Sequence, residues 1–526
     1  MNGDNIKKEF GDYQTPLYFA NCVCSYLTNY LNLQPETIIE PTAGMGAFIE
    51  ASIAQFGSCK KIVGIEINTD YCKYCEDKFQ DKKIRIINED FFKYNINKSL
   101  FNKDKVLVVG NPPWATNSEL NFNLPEKTNF KGLSGTDAIT GASNFDICEY
   151  IILKLIEDFR NTNTVIAMLC KTSVARNVFL EINRTSVPTE YVKILNFNSN
   201  KVFGISVSAC VLIIKLSDAD ITTNVCEVAD FSEPSRIISN IKCENGVLSN
   251  DNENVMDFEG NSQFEWRQGV KHDCSSIMEL EAVDEQTYIN KKKQQIKIEK
   301  TLVYPLIKSS GFKSCIINEQ FKKNVIVTQK KIKEDTSYIK TLAPQTWKYL
   351  VENKESFDRR KSSIYQGAPD FSMFGIGDYS YSVYKVGVSG FYKKPLFSLL
   401  YNKEQLKHPV MVDDTSYFIS FDNYNDAYVC MVLLNTNYVQ DFLYSISFQD
   451  AKRPYTKKVL QRLDFKKVVE SISVHKLEET EKNLKTTPGS DCALNALAID
   501  EPLEYARLYL DGTMQMWVDA EDSFYL

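Results

Sequence analysis

The sequence predicts an α/β protein, a doubly wound and mostly parallel sheet followed by a second, α+β domain. Three observations carry that expectation. Short apolar β-rich runs alternate with helix-length stretches over residues 1–220. Residues 221–260 are polar and rich in Asn, Ser and Asp, as a connector would be. From about residue 261 to 475 the alternation gives way to strand-like aromatic pieces and then to helical ones. Alternating strands and helices imply parallel βαβ units, whose ligands bind at the carboxyl ends of the strands.

The runs in order are TIIE (37–40), KIVGIEI (61–67), KIRIIN (83–88), KVLVVGN (105–111), TVIAML (164–169), VKILNF (192–197) and SACVLIIKL (208–216). Each is short, β-branched and apolar, as a strand buried on both faces must be. Between them, stretches such as MGAFIEASIAQF and FDICEYIILKLIEDF have helical length. No clear helix separates the last two runs, so they are expected to form an antiparallel hairpin at the sheet edge. In the second domain, SMFGIGDYSYSVYKVGVSGFYKKPLFSLL (372–400) reads as strands, and YVQDFLYSIS and YTKKVLQRLDFKKVVESIS as helices. Residues 476–526 form a tail with an expected acidic helix, EPLEYARLYLDGTMQMWVDAE.

Composition narrows the chemistry. The 526 residues are 43% hydrophobic and 25% charged, ordinary for a globular chain. No apolar run approaches the roughly 20 residues of a membrane span, and the N-terminus lacks a signal-peptide core, so a cytoplasmic protein without membrane partners is expected. Fourteen cysteines show no disulfide framework. Cys72 and Cys75 form a lone CxxC with no second pair or nearby His, which argues against zinc, and no metal is expected. Only three His are present, too few for chemistry built on several of them. Net charge is −7, yet residues 291–361 carry eighteen Lys and Arg against seven Asp and Glu.

The strand ends carry the candidate site. IIEPTAGMGAFIE (38–50) is a strand, a glycine turn and a helix, with Gly44 and Gly46 allowing close approach of a ligand. Glu66 ends the next strand, placed to accept hydrogen bonds from both hydroxyls of a ribose. Asp90 and Phe91 end the third, suited to an adenine amino group and to the adenine ring. Glu40 before the glycines would repel pyrophosphate and suits a cofactor with positive charge, so S-adenosylmethionine fits better than NAD. The fourth strand delivers Asn111-Pro112-Pro113-Trp114 to the same edge. An exocyclic base amine is a poor nucleophile because its lone pair is delocalised. The Asn111 side-chain oxygen and the Pro112 carbonyl can accept from its two hydrogens, and Trp114 can stack on the base.

These motifs, in this order, resemble the γ-type amino-DNA methyltransferases of bacterial restriction–modification systems, which methylate adenine N6. FGDYQTP (10–16) resembles their leading motif, and EPTAGMG, GIEIN, NEDFF and GNPPW come after it in family order. SNFDICEYIILK (143–154) resembles the helix after the catalytic loop, and NKVFGISVSACVLIIKL (200–216) the late motif whose aromatic stacks on a flipped base. The resemblance implies a class I, Rossmann-like methyltransferase fold. It assigns Thr15, Glu40, Gly44, Gly46, Glu66, Asp90 and Phe91 to the cofactor, and Asn111, Pro112, Trp114 and Phe203 to the target base. Trp114 stands where the family commonly has Tyr or Phe.

The resemblance further implies that residues 261–475 recognise a target in double-stranded DNA, with Arg359, Arg360, Lys361, Tyr365, Lys385, Lys393, Lys394, Lys452 and Arg453 as candidate contacts. A separate cognate restriction endonuclease is the partner it admits. Residues 115–142 are expected to order over DNA. Cytosine N4 poses the same chemical problem as adenine N6 and is the alternative product. A fused nuclease lacks a convincing carboxylate–lysine cluster. A glutamine amide in protein or a guanine amine in RNA as acceptor normally comes with the opposite domain order, and a catalytically dead scaffold would not retain the motif positions.

Overall fold

The structure, a computed structural model, describes residues 13–96, 105–115, 146–251 and 255–471 apart from 285, 320 and 405. In the tail it describes residues 487, 490, 493–494, 497, 508 and 513–524. Residues 10–12 of the leading motif, nearly all of the expected DNA-ordered segment 115–142 and most of the tail therefore lie outside the described residues. The chain divides into two compact units, Met1–Asn252 and Glu253–Leu526.

Unit 1 begins with helix α1 (Leu17–Asn29). It continues with β1 (Thr37–Glu40), α2 (Ala47–Gln55), β2 (Lys61–Glu66), α3 (Thr69–Lys78), β3 (Ile84–Asn88) and β4 (Val106–Gly110). Then come α4 (Ile147–Asp158), β5 (Val165–Lys171), α5 (Thr172–Arg184), β6 (Thr189–Asn198), α6 (Ser199–Phe203) and β7 (Ser208–Leu216). All seven apolar runs are strands. β4, VLVVG, is buried at every position, which is why it reads as a continuous apolar run and not an alternating one. β3, β2, β1, β4 and β5 lie side by side in parallel, and β7 is antiparallel between β5 and β6.

The β6–β7 pair does not lie at the sheet edge, where the sequence placed it, because three more strands extend the sheet beyond it. β8 (Val225–Asp230) pairs parallel to β6, and β9 (Glu233–Glu244) and β10 (Val247–Asn250) bring the sheet to ten strands. Most of the expected connector 221–260 is thus sheet. Its polar composition hid this, because β9 buries only Ile241 and Cys243 and leaves most of its length facing solvent.

Unit 2 is α+β. A five-stranded sheet contains β11 (Arg267–Gln268), β16 (Ile316–Ile317), β18 (Tyr384–Ser389), β19 (Ser398–Leu400) and β21 (Ser416–Phe421). A six-stranded sheet contains β12 (Glu279–Ala282), β13 (Thr287–Asn290), β14 (Gln295–Lys297), β15 (Val303–Ile307), β17 (Lys323–Ile326) and β20 (Met411–Val412). Helices Tyr424–Leu434 and Asn437–Ser445 pack on the first sheet around the fully buried Trp266, Phe397 and Tyr455.

Candidate active site

Because β4, β1, β2 and β3 are parallel neighbours, their carboxyl ends bring Asn111, Glu40, Glu66 and Asp90 to one edge of the sheet. The turn after β1 bends through two left-handed glycines, Gly44 at φ +51° and Gly46 at φ +75°. A Cβ on Gly46 would stand 2.5 Å from the Phe79 ring, and one on Gly44 would stand 2.7 Å from Gln14 Oε1. Conformation therefore demands glycine at both positions, and at Gly46 the Phe79 ring demands it as well.

Glu66 ties this turn to the next. One carboxylate oxygen accepts from Gly44 N and the other from Asn68 N, each at 2.8 Å. Each carboxylate oxygen has more than one lone pair, so these bonds leave Glu66 the capacity to accept from a diol as well. Asn68 caps α3 by accepting from Asp70 N and Tyr71 N. Asn88, at the end of β3, donates to the carbonyls of Glu66 and Ile67 at 3.0 and 3.1 Å. The CxxC thiols belong to the same framework. Cys75 Sγ donates to Gly44 O and Cys72 Sγ to Glu66 O, at 3.4 and 3.3 Å. They prop the two turns from behind, and among the described residues no cluster suited to a metal occurs.

Glu40 ends β1, just ahead of the glycine turn. It is enclosed, and its Oε2 accepts from Ile49 N at 3.1 Å, in the first turn of α2. Burial holds its carboxyl well above the usual range, the Ile49 amide opposes that, and the nearby Glu66 charge adds to it. The strand end left no sign of this, since an acid before a glycine turn reads the same whether it caps the helix or faces the ligand. Asp90 is half-buried and accepts from Phe92 N at 2.9 Å. Phe91 is buried, with Lys154 Nζ 4.7 Å from its ring centroid. Thr15 is half-buried just before Pro16, the N-cap of α1.

At the end of β4, the Asn111 carboxamide is anchored on one side only. Its Nδ2 donates to the Tyr13 carbonyl at 2.8 Å, while its buried Oδ1 has no hydrogen-bond partner among the described residues. An unsatisfied buried acceptor costs about 1–3 kcal/mol, so an oxygen held this way is available to a donor that a ligand brings. Pro112 is buried beside it. Trp114 is buried, and its indole N–H donates to Leu169 O at 3.3 Å. Phe203, half-buried at the end of α6, meets Trp114 edge to face, with centroids 5.4 Å apart and planes at 71°. The Tyr13 ring completes a triangle, 6.2 Å from Trp114 and 6.3 Å from Phe203.

The structure thus gathers all four predicted target-base residues at one point. It adds Tyr13 and Gln14, which the sequence did not single out, although both lie inside FGDYQTP beside Thr15. Gln14 Oε1 accepts from Met45 N at 3.0 Å, so the leading segment touches the glycine turn and the Asn111 amide together. Ile147 N donates to Ala115 O at 3.0 Å, and Asp146, which caps α4, pairs with Lys171 at 2.7 Å. Residues 115 and 147 are thereby joined beside Trp114.

Unit 2 corrects part of the expected basic surface. Lys385 is fully buried in β18, donating to Ser382 O at 2.6 Å. The Arg360 guanidinium stands 3.7 Å from the Tyr365 ring centroid and donates to the carbonyls of His272 and Ser372. Both side chains serve the fold. Lys291 and Lys308, from the basic segment, converge on the buried Glu279 carboxylate at 3.0 and 2.8 Å. By contrast, Lys394 and Lys452 are exposed, while the exposed Lys393 donates its ammonium to the carbonyls of Gln449 and Ala451. Lys452 and Arg453 lie 5.8 and 5.0 Å from the Phe391 ring centroid, and Arg453 also donates to Asp414 O.

The strand order, the glycine turn and the acidic strand ends define a class I S-adenosylmethionine-dependent methyltransferase. Sequence relatives narrow the class. The chain is 39% identical over 477 residues to the type II methyltransferase M.NspV of Nostoc sp., covering 88% of this chain and 98% of that protein. The chain belongs to that family, the type II DNA methyltransferases of restriction–modification systems. It is also 28% identical over 108 residues to the modification methylase CviBIII of Paramecium bursaria Chlorella virus NC1A, covering 20% of this chain and 27% of that one. A family model described as ribosomal RNA adenine dimethylase matches residues 22–187. Among solved structures, the type I restriction-modification methyltransferase subunit of Streptococcus thermophilus is 14% identical. Its TM-score is 0.30, over 43% of this chain and 50% of that one. No helix among the described residues is long and apolar enough to cross a membrane.

Proposed function

We propose that this protein methylates the exocyclic amine of a flipped adenine, at N6, within a specific sequence of double-stranded DNA. One observation carries the reading: the Asn111 carboxamide is held by its nitrogen and offers a buried, unpartnered oxygen beside Trp114 and Phe203. An acceptor fixed in that way can take one amine hydrogen, and the adjoining Pro112 carbonyl the other. The amine nitrogen then moves toward tetrahedral geometry and its lone pair becomes nucleophilic. Oriented dipoles that need no reorganisation suit this task better than a strong base. Trp114 and Phe203 supply the apolar faces that grip an extrahelical base, since the amine cannot be reached within a duplex.

The bound cofactor supplies an electrophilic methyl group. Gly44 and Gly46 would let it approach the backbone, Glu66 would accept from its ribose, and Asp90 and Phe91 would hold its adenine. Thr15 would close over its amino-acid end. Glu40 would act from beneath, fixing the first turn of α2. In residues 261–475, the exposed Lys394 and Lys452 and the Phe391-backed Arg453 offer the face best suited to phosphate and base contacts, beside Lys393, whose ammonium is held by two backbone carbonyls. The adenine dimethylase family model is in keeping with an adenine target, while the same geometry admits cytosine N4. A separate restriction endonuclease sharing the recognition sequence is the expected partner.

The test is transfer from labelled S-adenosylmethionine to unmethylated duplex DNA, followed by nucleoside analysis. N6-methyladenine is expected, and Asn111→Ala should abolish it. N4-methylcytosine as the sole product would replace adenine by the alternative. Label confined to protein or RNA would overturn the reading.

A further inference from the structure

We propose that the Tyr13 backbone carbonyl is a positioning group for Asn111, choosing which end of its carboxamide faces the target amine. The proposal rests on the amine-methylation reading above. A carboxamide is nearly symmetric in shape but not in chemistry. One end only accepts hydrogen bonds and the other only donates them. Rotated by half a turn, Asn111 would aim two N–H donors at an amine that must itself donate, and the site would repel its substrate. Nothing in the β4 backbone forbids that rotation.

The Tyr13 carbonyl forbids it. It accepts from Asn111 Nδ2 at 2.8 Å, and a carbonyl has no bond to offer the opposite end. Oδ1 is left buried and unpartnered as the only acceptor the side chain can present. Tyr13 is in turn held in place. Its ring lies 6.2 Å from Trp114 and 6.3 Å from Phe203, and the adjacent Gln14 accepts from Met45 N at 3.0 Å. The segment that sets the amide is thus the segment that rests on the glycine turn. The selected acceptor state exists only while residues 13 and 14 are seated.

The substitution Asn111→Asp tests this, because an ionised carboxylate keeps the acceptor and loses the donor. If Asn111 were merely an acceptor, a carboxylate would serve at least as well at any pH. If the Tyr13 carbonyl sets it, an ionised oxygen is forced against that carbonyl, and only the protonated carboxyl restores one donor and one acceptor. We expect single-turnover methyl transfer by Asn111→Asp to be about a hundredfold slower than wild type at pH 8. The ratio of variant to wild type should rise about tenfold for each unit of falling pH until the new carboxyl is protonated. The charged groups of the same strand ends, Glu40, Glu66, Asp146 and Lys171, are present in both proteins, so comparing variant with wild type isolates the new carboxyl and its coupling to them.

Two further variants address the anchor. Tyr13→Ala should lower kcat at least tenfold with S-adenosylmethionine affinity by calorimetry changed less than threefold. Tyr13→Phe, which keeps the ring, should restore kcat. A ratio that stays flat with pH, or a Tyr13→Ala variant whose kcat falls only in step with cofactor affinity, overturns the proposal while leaving the methylation reading intact. A wild-type protein that transfers no methyl group to DNA amines would overturn both.

Discussion

Replacing Lys385 by methionine separates a DNA-contacting lysine from a buried amine. The side chain lies within β18, paired on both sides, with Ser382 O as its hydrogen-bond acceptor and the Phe418 ring 5.9 Å away. Burial lowers its pKa from 10.5 to about 7. Between those values the unfolded chain binds more protons than the folded one, so stability rises with pH across the window and is lost as pH falls toward 7. The linkage amounts to roughly 4 kcal/mol at pH 7 and roughly 2 kcal/mol at pH 9. Methionine removes that cost but leaves the Ser382 carbonyl without its donor, at about 1–3 kcal/mol. Urea unfolding should therefore show Lys385→Met at least as stable as wild type at pH 7, with its advantage shrinking by roughly 2 kcal/mol by pH 9. DNA affinity should keep its salt dependence. A pH-independent difference, or a salt slope reduced by about one phosphate contact, would refute the placement.

Gly46→Ala sets a Cβ 2.5 Å from the Phe79 ring at φ +75°, so it should cost about 2–4 kcal/mol and at least tenfold in cofactor affinity, read by calorimetry. Glu66→Ala strips Gly44 N and Asn68 N of their acceptor, and should raise the cofactor Kd tenfold to a hundredfold with the fold intact by circular dichroism. Glu40→Gln keeps an acceptor for Ile49 N and removes a buried charge. Because the folded pKa of Glu40 is raised, the wild type loses stability as pH climbs above the ordinary carboxyl range, and the variant's melting temperature should gain on it over that range. Burial lowers His272 to about 4, so unit 2 should lose up to roughly 3 kcal/mol between pH 6.5 and 4. His272→Gln should flatten that part of the stability profile.

The strands of unit 1 were legible because burial on both faces demands unbroken apolar runs, and β4 supplies the clearest of them. β8, β9 and β10 were not, because a strand near a sheet edge can carry Ser, Asn and Glu on its wet face. The strand-end acids were legible as a set, since parallel strands bring their carboxyl ends together. Which way each side chain turns was not. Glu40 turned inward to α2, and Lys385 was buried within strand β18 although it lies in an aromatic, basic run that resembles a nucleic-acid surface. Tyr13 could not be found from residue type, since its contribution to Asn111 is a backbone carbonyl that any residue would carry. The Lys452–Arg453 pair beside Phe391 was legible as a basic dipeptide, but not that the half-buried Arg360 is tied to Tyr365 and two backbone carbonyls.

The edge-to-face contact of Trp114 with Phe203 leaves no parallel slot between them. If a base is to be gripped between these rings, as proposed, it must first part them, forfeiting a contact of about 0.5–1.5 kcal/mol. A free nucleoside has no phosphate grip elsewhere on the protein to offset that loss, whereas a nucleotide within a bound polymer does. On the proposed reading, the Trp114–Phe203 contact would therefore favour a base delivered within a DNA strand over a free monomer.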